Sequence, residues 1–195
     1  MLLGRKAMNA EGLGNSRILN AIFKPAGAIM GSRLRQWLSD PAKNLQGADL
    51  KPGQVVLEVG CGTGFFTITA AQMVGDEGSV IAMDVSSGFL QQVSKKVQRA
   101  GLDNVHVVQK DALDTELESA SIDTVLLFGV IPFVLLPLGR LLPEMNRVLK
   151  PGGRLAIWLF PPLVHFWVPG VILRSGLFTY EHKKNGILNY RTSRI

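Results

Sequence analysis

One stretch of this sequence, residues 55–67, constrains the fold more than any other. It begins with a five-residue apolar run, Val55 to Val59, which only Glu58 interrupts. The length of the run and its β-branched residues favour a buried strand over a helix. Three alternating glycines follow the run: Gly60, Gly62 and Gly64. An apolar segment of helical length, residues 65–74, comes next. A strand, a glycine loop and a helix in this order predict a ligand site, because glycine lets the backbone approach a bound molecule closely.

The spacing of the glycines narrows the class of ligand. A dinucleotide fingerprint needs G-x-G-x-x-G, whereas this loop reads G-x-G-x-G, and Phe65 occupies the place of the last glycine. The loop therefore suits a ligand with one nucleoside and a small polar tail better than a pyrophosphate. A second apolar run ends at Asp84, 24 residues after Gly60. An acid at the end of a second strand is placed to accept hydrogen bonds from both ribose hydroxyls.

These residues resemble those of a known family. The run V-L-E-V-G-C-G-T-G followed by Asp84 is similar to the first two motifs of the class I S-adenosyl-L-methionine (SAM)-dependent methyltransferases. The residues in and around this motif are similar to those of the small-molecule and quinone C-methyltransferase branch of the family. The resemblance covers about residues 45–195 and is also specific at residues 142–153. It implies SAM as the cofactor and S-adenosyl-L-homocysteine as the product. The alternatives are an ordinary glycine turn in another α/β protein and, more weakly, an NAD-dependent oxidoreductase.

The resemblance assigns the methionine and ribose parts of SAM to the first two strand ends. It implies that Glu58 faces the methionine amino group, directly or through water. Asp84 would bind the ribose diol, and Val85 would pack on the adenine. The residues that would wrap the methionine and ribose are those of the glycine loop: Gly60, Cys61, Gly62, Thr63 and Gly64. Within that loop Cys61 is a small packing residue in preference to a nucleophile.

The resemblance assigns the adenine amino group and the methyl donor to later strand ends. Asp111 would accept a hydrogen bond from the adenine amino group, with Ala112 beside it, and Phe128 and Gly129 would lie under the methyl donor. A turn cap remains the alternative for Asp111, and a purely core position remains the alternative for Phe128.

Strand and helix patterns alternate along the rest of the chain. Apolar runs predict strands at residues 80–83, 105–108, 123–129 and 155–159, and apolar stripes of helical period separate most of them. This alternation predicts an α/β fold with a mostly parallel sheet between two helical layers, a three-layer αβα sandwich. Four strand ends, at Gly60, Asp84, Asp111 and Gly129, should therefore meet on one rim.

The two ends of the chain complete the predicted organisation. Residues 178–192 are typical of a hairpin with Asn185-Gly186 at its turn, and the resemblance implies a seven-stranded sheet whose last strand is antiparallel. Residues 150–153, Lys-Pro-Gly-Gly, predict a turn before the fifth strand. We expect residues 1–45 to form a helical or irregular segment over the sheet or the site, in which Asp40-Pro41 breaks or restarts a helix. The resemblance implies that residues 46–195 form the SAM-binding domain.

Charge and composition limit the partners. The net charge is +6, and the basic excess lies in residues 1–50 and 174–195. An anionic partner such as nucleic acid or a membrane surface is open, but the charges form no long run, and solubility explains them more simply. The uncharged stretch 155–173 contains three prolines, so we expect no spanning helix but keep peripheral membrane contact open. The single cysteine and the absence of a signal peptide favour the cytoplasm, and no Cys/His cluster has metal-ligand spacing.

The acceptor side of the sequence carries no recognisable catalytic motif. The fourth strand ends Phe-Gly-Val-Ile-Pro-Phe-Val, without the Asp/Asn-Pro-Pro-aromatic motif of amino-directed methyltransferases. Four side chains are weak candidates for a general base: His165, His182, Tyr180 and Tyr190. Nine apolar residues near the predicted rim line a pocket for an apolar acceptor or pack the core: Phe128, Val130, Ile131, Phe133, Val134, Phe160, Leu163, Phe166 and Trp167.

These observations predict a SAM-dependent methyltransferase that acts on an apolar small molecule, with an unidentified catalytic residue. Two alternatives remain at this point. One is a SAM-binding protein without catalysis, and the other is a nucleic-acid methyltransferase that uses the basic termini.

Overall fold

A computed structural model describes residues 40–131, 137–159 and 165–194 of the chain. In chain order the elements are α1 Pro41–Gly47, β1 Val55–Val59, α2 Thr67–Val74, β2 Ser79–Asp84, α3 Ser87–Ala100, β3 Val105–Gln109, β4 Ile122–Phe128, α4 Leu138–Val148, β5 Leu149–Trp158, α5 Val168–Arg174, β6 Phe178–Lys184 and β7 Ile187–Thr192.

The strands form one seven-stranded sheet in the order β3-β2-β1-β4-β5-β7-β6. β3, β2, β1, β4 and β5 pair in parallel, and β7 is antiparallel to both of its neighbours. The central strands are almost continuous apolar runs because helices cover both of their faces, as in other parallel sheets. The predicted fold class, including the antiparallel C-terminal strand, is confirmed.

The helices divide between the two faces of the sheet. On one face α2 packs against β2 and β1, and its Ala70 and Val74 join the core there. α1 packs against α2 and β6, with Leu45 in the same core, and α3 continues this layer over β3 and β2 through Val93. On the other face α4 and α5 form the second layer, where Met145 belongs to the core. The connection from β3 to β4, residues 110–121, contains no helix, although all of its residues are described.

Two local predictions are confirmed by the backbone. α1 begins at Pro41, and the side chain of Asp40 accepts a hydrogen bond from the Ala42 N–H at 2.9 Å. Proline at the first helical position lacks only an N–H that would be unpaired there. In the C-terminal hairpin Asn185 and Gly186 both have positive φ, 49° and 81°. These values are those that a two-residue type I′ turn requires.

The predicted turn at residues 150–153 is wrong, because these residues belong to β5. Ile122 pairs with Leu149 and Thr124 pairs with Arg154. Residues 150–153 of β5 therefore lie opposite the single residue Asp123 of β4. The extra residues form a large bulge, in which Gly152 takes a φ of 68°. The turn-forming residues therefore bend a strand and do not separate it from the helix before it.

Several predictions fall outside the described residues. These are the segment before Asp40, which leaves only α1 of the predicted N-terminal unit, and four residues of the predicted apolar rim: Phe133, Val134, Phe160 and Leu163. In the stretch 155–173, β5 ends at Trp158 and α5 begins at Val168. Within the three described ranges no helix has the length and apolar character needed to cross a membrane.

Candidate functional site

The carboxyl ends of the central strands meet as the sequence predicts. The Cys61 N–H donates to the Met83 carbonyl at 2.9 Å, which joins the end of β1 to the end of β2. On the other side the Gly129 N–H donates to the Trp158 carbonyl at 3.0 Å, which joins the ends of β4 and β5. Parallel strands force this convergence, because their carboxyl ends share one edge of the sheet. This rim is the candidate site.

The glycine loop has a backbone that side chains rarely permit. Gly60, Gly62 and Gly64 have φ values of 65°, 55° and 75°. A Cβ atom at Gly60 would lie 2.4 Å from Cγ1 of Val130, which is too close for any real contact. Glycine is therefore required at Gly60 both by the backbone conformation and by the close packing of Val130.

Asp84 links the second strand end to this loop. Its carboxylate accepts hydrogen bonds from the Gly62 N–H and the Ser86 N–H, each at 2.9 Å. Burial raises the pKa of Asp84, while the backbone N–H donors at Ser86 and Gly62 lower it. Each carboxylate oxygen has two lone-pair positions, so both oxygens keep acceptor capacity for a ribose diol.

Glu58 is a buried acid with a single hydrogen-bonding side chain beside it. Only 3% of the residue is exposed, and its Oε2 accepts from the Thr67 hydroxyl at 2.6 Å. Burial raises the pKa of Glu58 to about 8, the Thr67 hydroxyl lowers it, and the nearby Asp84 carboxylate raises it further. In the described part of the chain no cation forms an ion pair with Glu58. A buried carboxyl of this kind fits a ligand that brings its own ammonium group, as the methionine end of SAM does.

Two residues at the site, Lys96 and Thr67, were not predicted from the sequence. The Lys96 ammonium donates to the Thr63 carbonyl at 2.6 Å, and burial lowers the pKa of this lysine. Thr67 is the other, as the partner of Glu58. The only available signal for Lys96 is its position three residues after the buried Val93, which turns it toward the core side of α3.

The β3 end of the predicted site is built as a tight turn. Oδ1 of Asp111 accepts from the Leu113 N–H at 2.9 Å, and Asp111 also forms an isolated bridge with Asp114. The turn-cap alternative for Asp111 is therefore present, with the second carboxylate oxygen left for a ligand. Ala112 is buried in the core, and Val85 accepts from the Gln109 side chain through its carbonyl at 3.0 Å.

The connection between β3 and β4, which contains Asp111, is bound by a partly buried ion pair on α4. Glu144 pairs with Arg147 at 2.7 Å and also accepts from the backbone and the hydroxyl of Thr115. Arg147 is the main cause that lowers the pKa of Glu144 to about 2. The same guanidinium donates to the Leu117 carbonyl at 2.8 Å. Part of the motif at residues 142–153 therefore fixes the turn after β3 and has no direct contact with the glycine loop.

Two of the four weak general-base candidates, His182 and Tyr190, are occupied by other roles in the fold. His182 bonds Asp49 at 2.9 Å within the ion network of the C-terminal hairpin. Tyr190 is fully buried, and burial raises its pKa to about 12, the opposite of what a base needs. Burial and the Glu58 and Asp84 carboxylates raise the pKa of the Cys61 thiol, which makes it a packing residue in place of a nucleophile.

The enclosed space beside the loop is small. A cavity of about 10 Å³ is lined by Glu58, Gly60, Cys61, Thr63, Phe65, Phe66 and Phe128. This volume suits one water molecule, so a larger ligand has to lie mainly on the open side of the loop. The larger groove, about 510 Å³, lies between α3 and β3 and contains none of the predicted site residues.

Apolar residues border the loop toward β4. Phe128 is buried and packs edge-on against Phe66, with ring centroids 5.0 Å apart, and Val130 covers Gly60. Ile131 belongs to the core on the other face. Phe166 and Trp167 are exposed to 87% and 46%, so the core-packing alternative does not hold for these two residues.

Known proteins provide an independent comparison. A family model described as a methyltransferase domain matches residues 56–153, about half of the chain, which contains every predicted cofactor residue. A solved SAM-dependent methyltransferase from Aquifex aeolicus is 28% identical and covers 86% of this chain and 96% of its own, with a TM-score of 0.73.

Two further comparisons are with a named methyltransferase and with a second protein of the same fold. A demethylmenaquinone methyltransferase of Bacillus cereus is 36% identical over 109 residues, 54% of this chain. The match covers 44% of that relative, so the chain spans less than half the length of the curated relatives it matches. The [4+2]-cyclase SpnF shares the fold at 21% identity, with a TM-score of 0.59 over 73% of this chain and 57% of its own.

Proposed function

The chain belongs to the class I SAM-dependent methyltransferase family, and from this membership we propose that it transfers a methyl group from SAM to an apolar small molecule. The product of the cofactor is then S-adenosyl-L-homocysteine. SAM supplies an already activated methyl group, so the protein mainly has to bind and orient the two reactants.

The proposed donor site uses the residues that converge on the rim. Glu58 holds the methionine ammonium, and Asp84 holds the ribose diol. Val85 packs on the adenine, Asp111 accepts from its amino group, and Ala112 lies beside it. The loop that wraps the methionine and ribose is Gly60, Cys61, Gly62, Thr63 and Gly64. The buried carboxyl of Glu58, which forms no ion pair with any residue that the structure describes, and the two N–H bonds that orient Asp84 support this assignment.

One observation supports an apolar acceptor above all others. Where β4 ends beside the donor loop, residues 128–131 are Phe, Gly, Val and Ile, without one polar side chain. Phe128 is buried there, and Val130 covers Gly60. Apolar walls exclude water from the transferring methyl group and bind an acceptor by burial of its apolar surface.

The name of the Bacillus relatives points to one acceptor class. Those proteins are named for demethylmenaquinone, a quinone, and we propose a quinone-like ring as the acceptor of this chain. The proposal includes a cytoplasmic location with peripheral membrane contact. The free buried Cys61 fits a reducing compartment, and an apolar quinone partitions into membranes.

His165 lies beside Phe166 in the connection after β5, and no contact of a described side chain identifies a general base at the rim. In the proposed reaction the protein holds the methyl donor, orients the acceptor and excludes water. In the reduced, quinol form of a quinone-like ring, a ring carbon forms the new bond to the methyl group as the sulfonium C–S bond breaks, and the ring proton is then lost to solvent.

An acceptor panel tests the proposal. The chain is incubated with SAM and either a demethylated quinol, glycine or tRNA, and formation of S-adenosyl-L-homocysteine and of methylated product is measured. We expect turnover with the quinol only. Turnover restricted to glycine or tRNA would refute the apolar acceptor.

A SAM-binding protein without catalysis is the second candidate. The missing base favours it, and the cyclase SpnF carries the same fold. SAM binding without turnover on any acceptor would establish this alternative. A nucleic-acid methyltransferase is less well supported, because several basic side chains of the C-terminal segment are already paired. Lys184 bonds Asp49, and Arg191 bonds Glu181.

A further inference from the structure

The residues around α5 leave an apolar surface open to solvent. Phe166 is 87% exposed, Trp167 46% and Leu173 47%, and together we call them the α5 surface. Val168 and Ile172 on the same helix are fully buried in the core. Residues 166–174 are therefore anchored by two buried side chains and present three large apolar side chains to solvent. Such an arrangement typically marks an interaction site.

The topology puts the start of α5 on the same edge of the sheet as the candidate site. β5 and β6 are both antiparallel to β7, so they run in the same direction. The connection between them leaves the carboxyl end of β5, where Gly129 bonds Trp158. α5 begins in that connection, so Phe166 and Trp167 belong to the rim side of the molecule.

The charge without an ion pair in this part of the chain is basic. Between residues 124 and 180 the sequence contains five basic side chains, of which three form ion pairs: Arg147 with Glu144, Lys150 with Asp123, and Arg154 with Asp49 and Glu181. Arg140 near the start of α4 and Arg174 at the end of α5 are exposed, and neither has an ion pair within the described ranges. A binding partner that is complementary to this surface in charge is anionic.

We propose that the α5 surface docks on an anionic lipid bilayer and brings the rim of the site to the membrane. A phenylalanine, a tryptophan and a leucine on a segment that ends in the exposed Arg174 have the composition of an interfacial anchor. Acidic lipid headgroups attract the arginines while the apolar side chains enter the boundary of the acyl chains. The purpose of docking rests on the proposed apolar acceptor, whereas the docking itself does not.

Cosedimentation of the full chain with vesicles tests the docking. Phosphatidylcholine vesicles with and without phosphatidylglycerol are compared for three proteins: the wild type, the double variant Phe166→Ser with Trp167→Ser, and Tyr180→Ser. Tyr180 is 49% exposed on β6 and serves as the matched control. We expect the wild type and Tyr180→Ser to bind the anionic vesicles and the double variant to bind about tenfold more weakly. Arg174→Gln should weaken anionic binding about fivefold, since one basic residue near the surface contributes that much.

The controls separate docking from folding and from catalysis. S-adenosyl-L-homocysteine should raise the melting temperature of all these variants equally, because none of the substituted residues belongs to the donor site. Absence of anionic vesicle binding by the wild type, or equal loss in Tyr180→Ser, would overturn the proposal. Self-association of the wild type that the double variant lacks would identify a second copy as the occupant and would also overturn it. Vesicle binding without methylation of any acceptor would leave docking intact and refute the proposed function alone.

Discussion

The two halves of the rim differ in polarity. On the proposed donor half, at the ends of β1 and β2, the buried Glu58 and the partly buried Asp84 are held by defined hydrogen-bond donors. On the proposed acceptor half, at the ends of β4 and β5, Phe128 and Val130 present hydrocarbon and Gly129 presents backbone. In our proposal the first half recognises a polar cofactor through particular groups, and the second selects mainly for apolar surface.

This difference explains why a sequence of this kind identifies its cofactor better than its acceptor. Polar recognition needs particular groups at particular distances, so it leaves motifs. Apolar recognition tolerates many side chains of similar size, so it leaves only a composition. The following predictions test the contrast, from the largest expected effect to the smallest.

Asp84→Ala should have the largest effect. The change removes the acceptor of two backbone N–H groups in a buried loop, as well as the proposed partner of the ribose diol. We expect SAM to bind roughly 100-fold more weakly, since charge-assisted hydrogen bonds are the strong ones. Calorimetric titration measures the affinity, and Asp76→Ala, an exposed acid on the loop before β2, is the control. Unchanged affinity in Asp84→Ala would contradict the donor-site assignment.

Glu58 should make SAM binding depend on pH. Its pKa is raised to about 8 by burial, so the free protein holds it protonated at neutral pH, while the ligand ammonium requires the carboxylate. Binding then releases a proton, and affinity should rise with pH between about 6 and 8, by at most roughly tenfold per pH unit. Titration in buffers of different ionisation enthalpy measures the proton. Glu58→Gln should bind more weakly and without this slope, and a slope that persists in the variant would exclude Glu58 as its source.

The same group predicts how stability depends on pH. Because the folded-state pKa of Glu58 lies above its ordinary value of 4.5, the folded state binds the proton more tightly than the unfolded state. Stability from this group is full at low pH and is lost as pH rises from about 4.5 to about 8. The melting temperature of Glu58→Gln relative to the wild type should therefore increase across this window. A constant difference would contradict the raised pKa.

Lys96→Met should have a moderate effect. Lys96 holds the glycine loop through the Thr63 carbonyl at 2.6 Å and is a positioning residue. We expect SAM to bind about fivefold more weakly, which matches the loss of one hydrogen bond to a charged group at a partly exposed site. Lys95→Met is the matched control on the exposed face of α3 and should change nothing. Lys96→Arg should restore part of the affinity, and equal effects in Lys95→Met and Lys96→Met would contradict the role.

Thr124→Val should leave SAM binding unchanged and stabilise the fold. Thr124 is fully buried in β4, and its hydroxyl has no hydrogen-bond partner in the part of the chain that the structure describes. Removal of an unsatisfied buried hydroxyl should raise stability by about 1 kcal/mol, or about 2–4 °C in melting temperature. Thermal denaturation with and without SAM checks both expectations. A loss of stability would show that the hydroxyl is satisfied by water.

The sequence predicts the parts of the fold that local chemistry determines. β1 and the Asn185-Gly186 hairpin follow from apolar periodicity and turn residues, and both are present as expected. The bulge at residues 150–153 was missed because the same glycines and proline serve a turn or a bent strand, and only pairing with β4 decides between them. Lys96 and Thr67 were missed because their contacts with the loop exist only after the helices pack on the sheet.

Phe166 and Trp167 show a different limit. Hydrophobicity predicts burial, and both residues were assigned either to the lining of a pocket or to the core, yet both are exposed. The helical period after residue 166 is too short to distinguish the inward from the outward face, and the alternation becomes clear only once Val168 and Ile172 are seen in the core.

The most direct measurement of the central claim is the melting temperature with S-adenosyl-L-homocysteine and, separately, with NAD. A ligand at 100 times its dissociation constant adds about 2.7 kcal/mol, which corresponds to roughly 5–10 °C in a domain of this size. We predict this rise with S-adenosyl-L-homocysteine and none with NAD, and for Asp84→Ala at the same concentrations a rise of at most about 1 °C with S-adenosyl-L-homocysteine and none with NAD. A rise with NAD and none with S-adenosyl-L-homocysteine would contradict the assignment of the loop from Gly60 to Gly64 as a SAM site.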